Sequence, residues 1–165
     1  MVTCETTESF KLAVKEESKA ESGKDGTAAG RLLAIDLGAK RVGVAVCDEL
    51  RLTVRRLDAI ERHSWKDLLR RVSEQIERLN ATGLVVGFPL NLDGSEGDAA
   101  REARDVADKF RLSLKLPVYL QDERLTTEEA KSRLRETVGR NEIDRYVDSE
   151  AAAIILEDFI GRESA

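Results

Sequence analysis

The sequence predicts an α/β domain: a mixed five-stranded sheet flanked by helices. Three observations carry that expectation. Two short apolar runs, Leu32–Asp36 and Val42–Cys47, are joined by Gly38-Ala39-Lys40-Arg41, a link short enough for an antiparallel hairpin. Beyond Ser64, stretches with helical apolar spacing alternate with short apolar runs bounded by Gly or Pro, the pattern of helices packed on a sheet. Finally, 165 residues, 41% hydrophobic and 36% charged, suit one domain. A chain of this size buries about two-thirds of its unfolded surface and needs no disulfide or zinc staple.

Residues 1–30 stand apart in composition. They are rich in Glu, Lys, Ser, Thr and Gly, and Ser22–Thr27 reads as a linker, so this segment is expected to be a disordered or flexible N-terminal leader. Residues 31–165 form the folded domain. Its first strand ends in an acid, Asp36. The second, through Val42, Val44 and Val46, alternates with small residues that suit packing on both faces. Thr53–Ile60 reads as a third strand nearer an edge.

Ser64 is expected to cap the first helix, with Asp67 in a capping-box-like place and Trp65, Leu68, Leu69, Val72, Ile76 and Leu79 on one face. Leu84–Phe88 is a buried strand ended by Pro89. A polar turn, Asn91–Gly97, leads into a helix through Ala99, Ala103, Val106, Ala107 and Phe110. Pro117–Gln121 is the fifth strand. Thr126 and Glu129 form a capping box for a third helix through Ala130 and Leu134. Val138–Tyr146 is expected as a loop over the site. Asp148 or Ser149 would then cap the last helix, with Ala152, Ile155, Leu156 and Phe159 inward and Gly161 at its end. The order is β-β-β-α-β-α-β-α-α, with no internal repeat.

Composition narrows the function. The longest apolar run, Ala151–Leu156, is far too short to span a bilayer, and no basic-then-apolar N-terminal signal is visible. Cys4 and Cys47 are isolated, which suits a reducing compartment. Net charge is −5, so nucleic-acid affinity must come from local basic clusters. There is no Walker A loop and no GxGxxG, and the only histidine, His63, supports no Ser-His-Asp set and reads as a surface residue.

The acids are the informative residues. Asp36 closes a buried strand, where a carboxylate is costly unless paired or bound to metal. A turn-bonded carboxylate and a metal ligand fit that position equally. Asp122 and Glu123 close the fifth strand, beside Arg124. Strand alternation sends them to opposite faces, so only one of the two faces a shared site. Asp148 alone reads as a helix cap. Together, these positions could converge on one edge of the sheet, where carboxylates suit one or two Mg²⁺ ions and phosphodiester hydrolysis. Asn91 and Asp93 fit an ordinary turn as well as they fit a phosphate or sugar contact. Lys40, Arg41, Arg124, Arg140 and Arg145 lie near the acidic motifs and are candidates to grip phosphates.

Four segments, in order, resemble the YqgF family: Leu33–Ala45, Val85–Gly94, Asp122–Thr127, and Val147-Asp148-Ser149 through Ala152 to Leu156. The resemblance spans about Arg31 to Ile160. Members of that family are described as pre-16S rRNA nucleases or Holliday-junction-resolvase-like proteins. The resemblance implies a ribonuclease H-like fold and a cytoplasmic hydrolase of ester bonds acting in 16S rRNA 5′-end maturation, with pre-16S rRNA or a small-subunit precursor as partner. It implies Mg²⁺ or Mn²⁺ held by Asp36, Glu123 and Asp148, with Asp122 as a less favoured fourth acid. Lys40, Arg41, Asn91, Asp93 and Arg124 become the expected substrate contacts. The superfold's resolvases carry a second acid one turn after the final helical Asp. Here that place is Ala151, which favours RNA cleavage over junction resolution. A non-catalytic RNA- or ribosome-binding factor on the same fold is the competing reading. Asp36-Leu37-Gly38 also resembles the phosphate motif of actin-like ATPases, but the chain is short for their two lobes. Monomer and homodimer both remain open.

Overall fold

The computed structural model describes residues 29–123 and 126–165. Cys4 and the expected leader up to residue 28 lie outside them, as do Arg124 and the side chains of Thr126 and Arg140. The strands are β1 (Arg31–Leu37), β2 (Arg41–Cys47), β3 (Val54–Glu61), β4 (Ala81–Phe88) and β5 (Val118–Asp122). The helices are α1 (Trp65–Leu79), α2 (Asp98–Ser113), α3 (Thr126–Thr137) and α4 (Arg140–Glu163). The sheet order is β3-β2-β1-β4-β5. β1 pairs antiparallel with β2, and β2 with β3, whereas β1–β4 and β4–β5 are parallel. The mixed sheet with β3 at an edge is therefore as the sequence predicts.

Alternation along the strands divides the core. Leu33, Ile35, Val42, Val44, Val46, Leu84 and Val86 meet Leu68, Val72 and Ile76 of α1 and Val106, Ala107 and Phe110 of α2. The opposite face carries Leu32, Ala34, Ala45, Cys47 and Val85, covered by Ala152, Ala153, Ile155 and Leu156 of α4. α3 packs outside α4 through Ala130, Ala151 and Ile154. Ser64 caps α1, its side chain accepting from the Asp67 amide.

Two expectations are corrected. α4 begins at Arg140, capped by Gly139, so Asp148 lies two turns inside the helix and caps nothing. The loop expected over Val138–Tyr146 is helix from Arg140 onward. The apolar periodicity that marks a helix starts only at Val147, so the polar first turns read as loop. Tertiary contacts hold them: the Arg41 Nη2 donates to the Asp144 carbonyl at 2.7 Å, and the Arg56 guanidinium lies 4.8 Å from the Tyr146 ring centre. A smaller correction concerns α2, whose inward residue is Ala100; Ala99 is exposed.

Candidate active site

Parallel pairing puts the carboxyl ends of β1, β4 and β5 on one edge of the sheet. Asp36 follows Ala34 on the α4 face of β1. Glu123 continues the parity of Tyr119 and Gln121 just past β5, on that same face, and Asp122 takes the other parity. The strand between them, β4, has Gly87 at this level: Ile35 registers with Val86, and Gly87 with Gln121. The missing side chain makes room for the acids. A Cβ at Gly87 would lie 2.8 Å from Glu123 Oε2 and 2.7 Å from Ile155 Cδ1.

Asp36 and Glu123 are hydrogen-bonded to each other through their carboxyl groups. Two ionised carboxylates cannot share such a bond, so the pair holds one proton. Burial, and then the charge of Asp36, push the Glu123 carboxyl up to about 9. Burial also raises Asp36, to about 6, with the Asp148 charge adding to the rise and the bond from Glu123 opposing it. Asp122 acts on Glu123 through its charge.

Asp148 arrives from α4 at the one place where helix and sheet nearly touch. Asp36 registers opposite Gly43 on β2, and a Cβ at Gly43 would lie 1.8 Å from the Asp148 carbonyl oxygen. No residue but glycine fits there. The β2–β3 register shifts between Val42 and Val44, and the buried Ser149 hydroxyl accepts from the Val44 amide at 3.3 Å. Asp148 Oδ2 is 3.0 Å from Arg41 Nε. Arg41 thus clips α4 to the β1–β2 turn by this ion pair and by its bond to Asp144. Among the described residues, no three of His, Cys, Asp and Glu stand ready-arranged around one ion position.

The other sequence candidates are placed as follows. Lys40 is exposed in the β1–β2 turn and, with Arg41, lines an open cleft of about 500 Å³ beside Asp148. Asn91 and Asp93 are exposed and engaged with Ser95: Asn91 Nδ2 donates to its hydroxyl at 2.9 Å, and Asp93 Oδ1 accepts from its amide at 2.9 Å. The Ser95 hydroxyl, which donates to Asp93 Oδ1 at 2.6 Å, and then the Ser95 amide hold the Asp93 carboxyl below the usual range. The structural parts of Gly43 and Gly87 were missed by sequence reasoning. Their only signal is a residue without a side chain at the strand level of an acid.

A family model described as "RuvX: Holliday junction resolvase" matches residues 30–162. The chain belongs to the RuvX family. A curated relative from Anaeromyxobacter sp. (strain K), named "Putative pre-16S rRNA nuclease", is 42% identical over 135 residues, covering 81% of this chain and 98% of its own. A relative of the same name from Lactobacillus johnsonii is 35% identical, with 79% and 94% covered. Among solved structures, RuvC of T. thermophilus in complex with a Holliday junction substrate superposes with a TM-score of 0.53 at 17% identity, covering 82% of this chain and 97% of that one. That likeness shows the fold, which is the ribonuclease H-like one. Membership of the RuvX family makes the protein a nuclease.

Proposed function

We propose that residues 31–165 form a divalent-metal-dependent nuclease domain that cleaves RNA in the cytoplasm, in 5′-end maturation of pre-16S rRNA. The observation that carries this reading is the meeting of the buried Asp36 and Glu123 carboxyls, with Asp148 close enough to act on Asp36 through its charge. Such a set stores mutual repulsion that a hard dication relieves, and all its donors are oxygens, which suits Mg²⁺ or Mn²⁺. Asp36, Glu123 and Asp148 would hold the ion. Bound there, a divalent ion supplies Lewis-acid stabilisation of phosphoryl oxygens and lowers the pKa of an attacking water.

The chain's own residues divide the rest. Glu123, whose carboxyl burial pushes up, would have to be deprotonated to hold the ion, so metal binding would be expected to release protons. Asp148, now paired with Arg41, would be one of the residues holding the ion, and the Arg41 guanidinium beside it is placed to face a phosphate oxygen. Lys40 holds the neighbouring backbone as a point charge. The names of the curated relatives support rRNA as the substrate.

The family model's description favours a second reading, junction resolution. Against it stands Ala151, the place where the resemblance expects a further acid. It is buried with Ala130 and Ile154 between α4 and α3, where a carboxylate would be desolvated without a partner.

The test is cleavage of a labelled 16S precursor leader and of four-way DNA junctions, by wild type and Asp36→Asn, in Mg²⁺, Mn²⁺ and EDTA. The expected result is metal-dependent cutting of the leader, reduced at least about a hundredfold in the variant. Equal binding without cutting by both proteins in every metal would replace the nuclease reading with that of an RNA-binding factor.

A further inference from the structure

Beside the acid cluster the surface carries a feature that the reading above does not use. The cleft next to Asp148 runs from Lys40 to Glu61 and His63. A second cleft, of about 250 Å³, starts at the same His63 and continues past Trp65 to Lys109. The two clefts lie side by side, with the exposed His63 in the lining of both, between the acids and the indole. The smaller is below the roughly 300–1,000 Å³ that hold whole drug-sized ligands, so it fits one unit of a chain passing through.

The wall of this groove is fixed in advance. Arg62 donates to the Gly38 carbonyl at 3.1 Å and pairs with Glu102, while its amide bonds the Lys40 carbonyl at 2.9 Å. Trp65 is held edge-on against Phe110, ring centres 4.8 Å apart, and is partly exposed to the cleft. Lys109 Nζ stands 5.7 Å from the Trp65 ring centre. Charge adds a second argument. Several helix arginines, such as Arg70, Arg101 and Arg133, are committed to acids. Among the described residues, neither Lys40 nor Lys109 has an ion-pair partner. One groove acid, Glu102, is answered locally by Arg62; Glu61 lies 3.5 Å from the exposed His63 ring, and Asp105 has no ion-pair partner.

We infer that this groove is the track for a single RNA strand leading to the scissile phosphate, with Lys40, His63 and Lys109 along the backbone and one unpaired base on Trp65. Spaced cations interleaved with one aromatic face are the elements that bind single strands. A base in a duplex is stacked on both sides and cannot reach the indole, so the occupant is single-stranded. The inference rests on the nuclease reading and supplies the form of its substrate.

Trp65 is the only tryptophan, so its fluorescence reports on this groove alone. The experiment uses the full chain carrying Asp36→Asn, in EDTA, titrated with a short single-stranded RNA, the same RNA as a duplex, and a single-stranded DNA. Anisotropy of the labelled oligonucleotide is read in parallel. Single-stranded RNA is expected to quench Trp65 with the same midpoint as the anisotropy, and the duplex to bind more weakly. Adding Lys109→Ala should lower the slope of log affinity on log salt by about 0.7. Adding Trp65→Ala should weaken binding about tenfold. Adding His63→Ala, which leaves the core untouched, should weaken it about threefold. Binding by anisotropy with Trp65 unmoved and Lys109→Ala and His63→Ala unchanged, or tighter binding of the duplex, overturns the track. Wild-type cleavage in Mg²⁺, run alongside, separates the two readings: cutting with a silent Trp65 rejects the track alone, and no cutting in any metal rejects the nuclease.

Discussion

The two faces of the sheet are packed by different means. Against α1 and α2 the sheet presents valines, leucines and isoleucines, and Phe110 fills the space between. Against α4, Leu32 and Val85 pack with Ile155 and Leu156, but along β2 the sheet presents only Gly43, Ala45 and Cys47, and the α4 backbone comes down onto Gly43. Large side chains hold two elements apart; small ones let backbones approach. The first face therefore supplies most of the buried apolar surface, and the second brings a helix close enough to set Asp148 beside Asp36. Stability and site geometry are concentrated on opposite sides of one sheet.

That division can be broken first at its largest effect. Leu84→Ala, in the α1–α2 face and at the start of β4 away from the acids, should cost about 2–5 kcal/mol in urea unfolding through the cavity it leaves. Cutting per folded molecule should stay at the wild-type level. Gly43→Ala should cost less, about 1–3 kcal/mol, because helix and strand must part to admit the methyl. Its cutting rate should nevertheless fall about a hundredfold, since Asp148 moves with the helix backbone. Equal rate losses in both variants would show that the two faces are not divided as argued.

The charge on the α4 face sharpens the contrast. Folding raises the Glu123 carboxyl from 4.5 to about 9. Between those values the folded chain binds more protons than the unfolded one, so the metal-free protein loses stability as pH rises through that window. Glu123→Gln cannot ionise and escapes the loss. In EDTA its unfolding free energy should match wild type near pH 4 and exceed it increasingly toward pH 9, by about 1 kcal/mol or more, while cutting is lost. Mg²⁺ should narrow the gap by stabilising only the wild type. The smallest effect belongs to Arg41→Ala. The Arg41–Asp148 pair is partly exposed and so worth only about 0.2–1 kcal/mol. Removing the competitor for Asp148 should tighten Mn²⁺ binding by up to about fivefold in a calorimetric titration. Unchanged or weaker binding would mean that Arg41 supports the site rather than competing within it.

Much of this was legible in the residues. Helical spacing places α1, the Gly38–Arg41 link places the β1–β2 hairpin, and period-two alternation separates Glu123 from Asp122. Each is a local regularity that neighbouring residues express by themselves. Asp148 was singled out, yet given the wrong local setting, because the first two turns of α4 are polar and owe their helix to Arg41 and Arg56 from distant strands. Gly43 and Gly87 carried no visible role, because a missing side chain matters only through what approaches it. The sequence by itself determined the strands, the helices apart from the start of α4, the apolar faces and the acids that close β1 and β5, since these follow from periodicity and from the cost of burying charge. The tertiary structure alone decided that the Asp36 and Glu123 carboxyls meet over Gly87, that Asp148 is paired with Arg41, and that His63 lies between two clefts. Those facts depend on separations of a few ångströms between residues far apart in the chain, which only the packing of the whole domain sets.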